Sequence, residues 1–195
     1  MTSKADICNM ALCHLGAAPS VVSIDPPDGG AYAIHCARFY PIALSQLLCM
    51  PWQFAMRRTA LSLVEEDPNE QWLYSYTLPS SCVRAFTVLP SGATSDNEGI
   101  DFIQEGQLIF CNEPDVSLMY TTSEVTSGNF SPMFAEALSR QLAYYLAAPV
   151  MKPAPAVLQG LQRIAQQSIS SALAVDAMSR KQVPVDHKPV WLRNR

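Results

Sequence analysis

Apolar residues recur three and four apart over four long stretches of this chain, and they alternate with polar ones over several short stretches in between. The clearest helical stretch is 129–149. Phe134, Ala137, Leu138, Leu142, Tyr145 and Leu146 fall on one side of a helix, and Glu136 and Arg140 sit four apart on the other. Ser131 followed by Pro132 supplies an N-cap and a first helical residue that needs no donor. Pro149 is expected to stop the run. This is a core helix around which the other segments must pack, and nothing on it resembles chemistry.

An earlier helix opens at Ser3, with Asp6 three residues on in the manner of a capping box. Ile7, Cys8, Met10, Ala11 and Leu15 form its apolar stripe, and Gly16 is placed to close it in a left-handed conformation. The run Asp25 to Gly30 reads as turns, since it lacks the Lys-Ser/Thr of a phosphate loop. A second helix is predicted from about Ala31 to Met50, kinked or split at Tyr40 by Pro41. Trp52, Phe54 and Met56 then form an irregular packed corner.

After the acidic turn Glu65-Glu66-Asp67-Pro68 the texture changes to strand period. Trp72, Tyr74 and Tyr76 alternate, Val83 to Leu89 follows, Asp101 to Gln104 and Gln107 to Cys111 flank the turn pair Glu105-Gly106, and Val116 to Thr121 closes the set. Four or five strands are expected, with Ser91 to Gly99 as a polar loop. Pro153 and Pro155 introduce a last helix to about Ser179. Val157, Leu161, Ile164, Ala165, Ala172 and Val175 line one side, and Leu158, Ile169 and Leu173 broaden it. Beyond it Pro184 and Pro189 prevent a helix. The element order therefore predicts an α+β chain. A helical bundle body occupies 1–64 and 129–179, a small antiparallel β subdomain is inserted at 65–128, and an extended basic C-terminal arm occupies 180–195.

Composition sharpens this outline. Of 195 residues, 49% are apolar and only 15% charged, enough for a sizeable core, and no apolar run is long enough to span a membrane. An N-terminus with Lys4 and Asp6 in an amphipathic pattern predicts no secretion signal. The low charge also fits a surface covered by another subunit. Six cysteines (Cys8, Cys13, Cys36, Cys49, Cys82 and Cys111) show no zinc spacing and read as reduced core thiols, so neither metal nor cofactor is expected.

Charge is unevenly spread. Between Arg84 and Arg140 no Lys or Arg occurs, whereas Asp96, Glu98, Asp101, Glu105, Glu113, Asp115, Glu124 and Glu136 all lie there. The first six of these give the β subdomain an acidic face whose field repels nucleic acid. Two of them could in principle serve glycoside hydrolysis, but no spacing marks a pair, and a solvated acidic face is the expectation. On the last helix Gln159, Gln162, Arg163 and Gln166 form a polar face nearly free of charge, which points to contact between copies of the chain. Arg57 and Arg58 are too few for a nucleic-acid patch and are expected in a subunit contact or an intramolecular ion pair. In the arm, Arg180, Lys181, Lys188, Arg193 and Arg195 surround the apolar triple Val190-Trp191-Leu192. That triple suits insertion into a partner's groove, or a fold back onto its own domain.

These residues resemble those of the tail tubular protein A family, the head-to-tail adaptors of short-tailed phages. The opening Ala5-Asp6-Ile7-Cys8-Asn9-Met10-Ala11-Leu12 with Leu15-Gly16 is similar to the start of that family. So are Tyr40, Leu47-Leu48, Pro51-Trp52, Phe54-Ala55, Arg58, Trp72, Tyr74, Tyr76, Leu78-Pro79, Cys82 and Arg84. The likeness continues at Tyr120, Phe130, Pro132, Phe134, Ala137-Leu138, Leu142-Ala143 and Leu146-Ala147. It spans nearly the whole chain, but it consists of dispersed packing residues.

The resemblance implies a structural virion protein with no enzymatic activity, made in the host cytoplasm and placed in the tail at the portal vertex. Such adaptors form a ring, typically of twelve copies, dock to the portal protein through a C-terminal extension, and offer their other face to the tail nozzle protein. Genomic DNA passes through without being read. The arm residues named above are then the portal-docking element, and an acidic lining would let DNA slide. Two other classes stay open: a tail-associated peptidoglycan hydrolase, with an acid such as Glu105 or Glu113 in a cleft, and a non-viral cytosolic binding module that stays monomeric.

Overall fold

Four helices and two small antiparallel sheets make up the described part of the chain, an α+β fold. The computed structural model describes residues 2–69, 71–93, 95–96 and 98–179, and the arm at 180–195 lies outside them.

Helix α1 (Lys4–His14) begins as its sequence predicts. The Ser3 hydroxyl accepts from the Asp6 backbone N–H at 3.1 Å, while the Ser3 N–H donates to the Asp6 carboxylate at 2.8 Å. That backbone bond, with the Ser3 hydroxyl behind it, holds the Asp6 carboxyl below its ordinary value. Gly16, at φ 72°, closes the helix as Ala17 N–H turns back to the Leu12 carbonyl at 3.0 Å. Helix α2 (Ala31–Leu48) continues through Pro41 without the expected split. Pro41 lies on the exposed side, where solvent can satisfy the carbonyl left without a donor, and Cys36, Tyr40, Ala43 and Leu47 are buried on both sides of it.

Helix α3 (Pro132–Met151) starts with the Ser131 hydroxyl accepting from Phe134 N–H at 3.1 Å. It runs past Pro149 and stops at Lys152, which turns left-handed at φ 48°. A proline in the last turn removes one bond without blocking two further residues. Helix α4 (Pro155–Met178) follows at once. α3 packs against α1, α2 and α4, and is the centre its pattern announced. Phe134 meets Trp52 and Phe54 edge-on, each with ring centroids 4.8 Å away, and Phe130 closes the cluster at 4.7 Å.

The strands are β1 (Met56–Ala60), β2 (Ser62–Asn69), β3 (Trp72–Thr77), β4 (Cys82–Leu89), β5 (Ile103–Glu105), β6 (Leu108–Cys111) and β7 (Ser117–Thr122). They form one sheet in the order β1-β7-β4 and a second in the order β2-β3-β6-β5. The expected four or five strands become seven, because β1 and β2 precede the texture change, and β2 runs through 65–68, where a turn is expected. Both are edge strands, and β1 is mostly exposed, so neither carries the alternating apolar signature of a covered strand. At Leu61 the chain crosses from one sheet to the other. Gly106, at φ 59°, turns β5 into β6 where Glu105-Gly106 predicted a hairpin. Tyr76, Ile109 and Cys111 of one sheet pack with Val88, Leu118 and Tyr120 of the other. Burial, with Cys111 beside it, pushes the Tyr76 phenol up to about 12.

The sheets join the helices at the end of α2. Three successive carbonyls there accept side-chain bonds, since a helix leaves its last carbonyls without i+4 partners. The Trp52 indole N–H donates to Leu47 O at 2.6 Å, the Thr121 hydroxyl to Leu48 O at 2.6 Å, and the Arg84 guanidinium to Cys49 O at 3.2 Å. One partner comes from the corner, one from β7 and one from β4. Because side chains alternate along β7, Leu118 and Tyr120 fill the space between the sheets while Thr121 points to α2.

Candidate functional site

Helix α4 carries most of what could meet a partner. Its sequence offers a wide apolar arc, of which the fold uses only part. Ala165, Ile169 and Ala172 are buried against the other helices, with Leu158, Leu161 and Leu173 partly covered beside them. Val157, Ile164 and Val175, expected on the same inward side, are 46%, 43% and 48% exposed, and Met178 is 82% exposed. At 100° per residue these four stack in a ridge beside the buried face. Gln159, Gln162, Arg163 and Gln166 are all exposed.

Gln162 and Gln166 also border an open groove between α2, α3 and α4. Its volume is about 540 Å³, and Gln46, Leu47, Cys49, Met50, Gln141, Tyr144, Tyr145 and Ile169 complete its lining. Gln141 donates to Gln46 across it at 2.9 Å, and Tyr145 stacks on Phe39 with centroids 6.0 Å apart. No ionisable carboxylate, lysine or arginine lines it. Sequence alone does not reveal this groove, since it brings α2 against helices far along the chain, with Gln46 and Gln141 on facing walls 95 residues apart.

The arginine pair makes hydrogen bonds to backbone within the chain. Arg57 donates to the Phe54 and Met56 carbonyls at 3.0 and 2.8 Å, and Arg58 to the Ala93 carbonyl at 3.1 Å. These are intramolecular contacts to backbone. Arg180, Lys181, Lys188, Val190, Trp191, Leu192, Arg193 and Arg195 lie outside the described residues.

The acidic residues divide between the ends of the β5–β6 hairpin. Glu105 is exposed at its turn. Asp101 and Glu113 lie at its open end, beside a shallow cleft of about 350 Å³ that Trp72, Gly99, Ile100 and Asn112 also line. Asp115, at φ 55°, is exposed in the following loop, Glu98 is exposed and Asp96 partly so. The six are therefore not gathered at one point.

One constellation was not legible beforehand. His14 Nε2 lies 3.1 Å from the Ser139 hydroxyl and 3.7 Å from Glu136 Oε1, and that oxygen accepts from Arg140 Nε at 2.7 Å. The residue types match a hydrolytic triad, but the arrangement does not. Ser139 is fully buried and its hydroxyl donates to the Glu136 carbonyl at 2.8 Å, so it is neither open nor free to be activated. Carboxylate and serine also meet the same imidazole nitrogen. The cluster ties the end of α1 to α3. Burial lowers the His14 pKa, the nearby Arg140 charge lowers it further, and Glu136 opposes both.

The thiols fit a packing role. Cys8, Cys36 and Cys111 are buried, Cys49 and Cys82 partly so, Cys13 is exposed, and all six are free. A hydrogen bond with the Cys36 thiol, then burial, pushes the Cys8 thiol far up. Among the described residues no cluster of His, Cys, Asp and Glu has the makings of a metal site, and no helix is long and apolar enough to cross a membrane. No protein-family model and no curated protein matches the chain.

Proposed function

We propose that this chain is a structural adaptor that assembles with copies of itself into a ring between the portal and the tail nozzle of a short-tailed phage, leaving a channel for DNA. The observation that carries the proposal is the exposed ridge Val157, Ile164, Val175 and Met178 on α4, bordered by a polar face with Arg163 as its only charge. An apolar stripe rimmed by uncharged polar groups is the composition of an interface rather than of a solvent face. Repeated around a ring, the α4 ridge of one copy meets the next. The resemblance to the tail tubular protein A family supplies the partners: portal through the arm at 180–195, nozzle on the opposite face, and twelve copies as the expected number. The virion tail is the corresponding location.

The proposal is tested by placing Asp at Val157 and Val175 together and measuring assembly on the cognate portal. Loss of the assembled ring by a folded double variant is the expected result, and unchanged assembly would contradict the role given to α4.

A second function draws on the cleft beside Trp72. An aromatic side chain with Asp101 and Glu113 nearby is a combination that polysaccharide sites use. Peptidoglycan zymography decides it, with clearing by the intact chain and none by Glu113→Gln as the positive result.

A further inference from the structure

The groove between α2, α3 and α4 is open, charge-free and unoccupied by any described residue. Its floor is apolar, with Leu47 and Ile169 buried beneath and the Tyr145 ring beside them. At its rim the amides of Gln162 and Gln166 form no hydrogen bond among the described residues. A floor of this kind takes up an apolar side chain, and free amides on one wall offer the donors and acceptors that an extended backbone needs.

We propose that in the free chain this groove seats the chain's own segment Val190-Trp191-Leu192. Three observations select that occupant. The first is where the chain leaves α4. Asp176 accepts from the Gln53 N–H at 2.7 Å, which pins the end of α4 next to the end of α2, and Cys49 and Met50 at that same end line the groove. The second is reach. Ile169 and Gln162 lie ten and seventeen residues before Ser179, about 15 and 26 Å back along the helix. Trp191 lies twelve residues after Ser179, up to about 40 Å of extended chain, so it spans the whole α4 wall. The third is chemistry. A groove without charge accepts the apolar triple and leaves the basic residues around it, Lys188, Arg193 and Arg195, in solvent.

The seated segment holds the arm against its own body until a stronger site competes for Trp191. This goes beyond the adaptor proposal and does not rest on it, since it concerns the isolated chain.

Cys49 supplies the test, because its partly exposed thiol lines the groove, while Cys13 is exposed on α1 and lies outside it. Maleimide labelling of both thiols is followed by peptide mass spectrometry in the full chain, in the chain ended at Ser179, and in Trp191→Ala. Covering by an apolar anchor of this size predicts labelling of Cys49 about tenfold slower in the full chain than in either variant. Cys13 labels equally in all three, and the buried Cys8 and Cys36 stay unlabelled, which reports that the variants are folded. The protection is independent of protein concentration. Equal Cys49 rates in the three chains overturn the proposal, and so does protection that grows with concentration, the mark of a second copy's segment in the groove. Neither result bears on whether portal recruits a ring.

Discussion

The Thr121 hydroxyl on β7 donates to the Leu48 carbonyl at the end of α2 across 2.6 Å, and both groups are buried. With the Arg84 bond from β4 to the adjacent Cys49 carbonyl, it fastens the first sheet to the helical body, and the Trp52 bond to Leu47 holds the corner beside them. Thr121→Val keeps the shape and removes the donor, leaving a buried carbonyl unpaired. The expected loss is about 1–3 kcal/mol in chemical denaturation. A variant as stable as the parent would show that the bond does not couple the two parts.

Phe134 sits where Trp52, Phe54 and Phe130 converge, and it is fully buried. Phe134→Ala is expected to destabilise the chain by about 3–5 kcal/mol, the range for emptying an aromatic site. For a chain of this length that lowers the melting temperature by roughly 6–20 °C. Calorimetry measures it directly.

His14 makes stability depend on pH. Its folded pKa lies below its unfolded value near 6.5, so the unfolded chain binds more protons in the interval between the two. The contribution is complete above the unfolded value and is lost as pH falls through it toward the folded one. Urea midpoints should therefore drop between neutral pH and about pH 5, and His14→Gln should flatten that part of the profile. A profile unchanged by the substitution would remove His14 from the account.

The ridge on α4 is exposed, so Val157→Asp and Val175→Asp should alter folding stability by only about 0.5 kcal/mol each. Their effect belongs to association. Light scattering of the double variant with portal should show no ring, while circular dichroism remains that of the parent.

Much of this architecture could be read from the sequence, and the exceptions have physical causes. Ser3 with Asp6, Gly16, Ser131 with Pro132 and Glu105-Gly106 are local signals, and each forms the cap or turn it announces. Local signals fail where a tertiary choice decides. Pro41 is carried inside α2 because its exposed side tolerates the missing bond. β1 and β2 escape notice because an edge strand need not alternate. On α4 the apolar arc is wider than the surface it covers, so periodicity could not tell that Ile164 stays outside while Ile169 goes in. The groove and the His14–Ser139 contact were invisible for a simpler reason, since each joins residues distant in the chain.

The central claim is that copies of this chain form a ring on a portal through the α4 face and the arm. Static light scattering measures it most directly, on the full chain and on the chain ended at Ser179, each alone and with the cognate portal. The account predicts a portal-bound ring of the full chain and none of the shortened one. If both remain monomers that leave portal unbound, the adaptor assignment is contradicted.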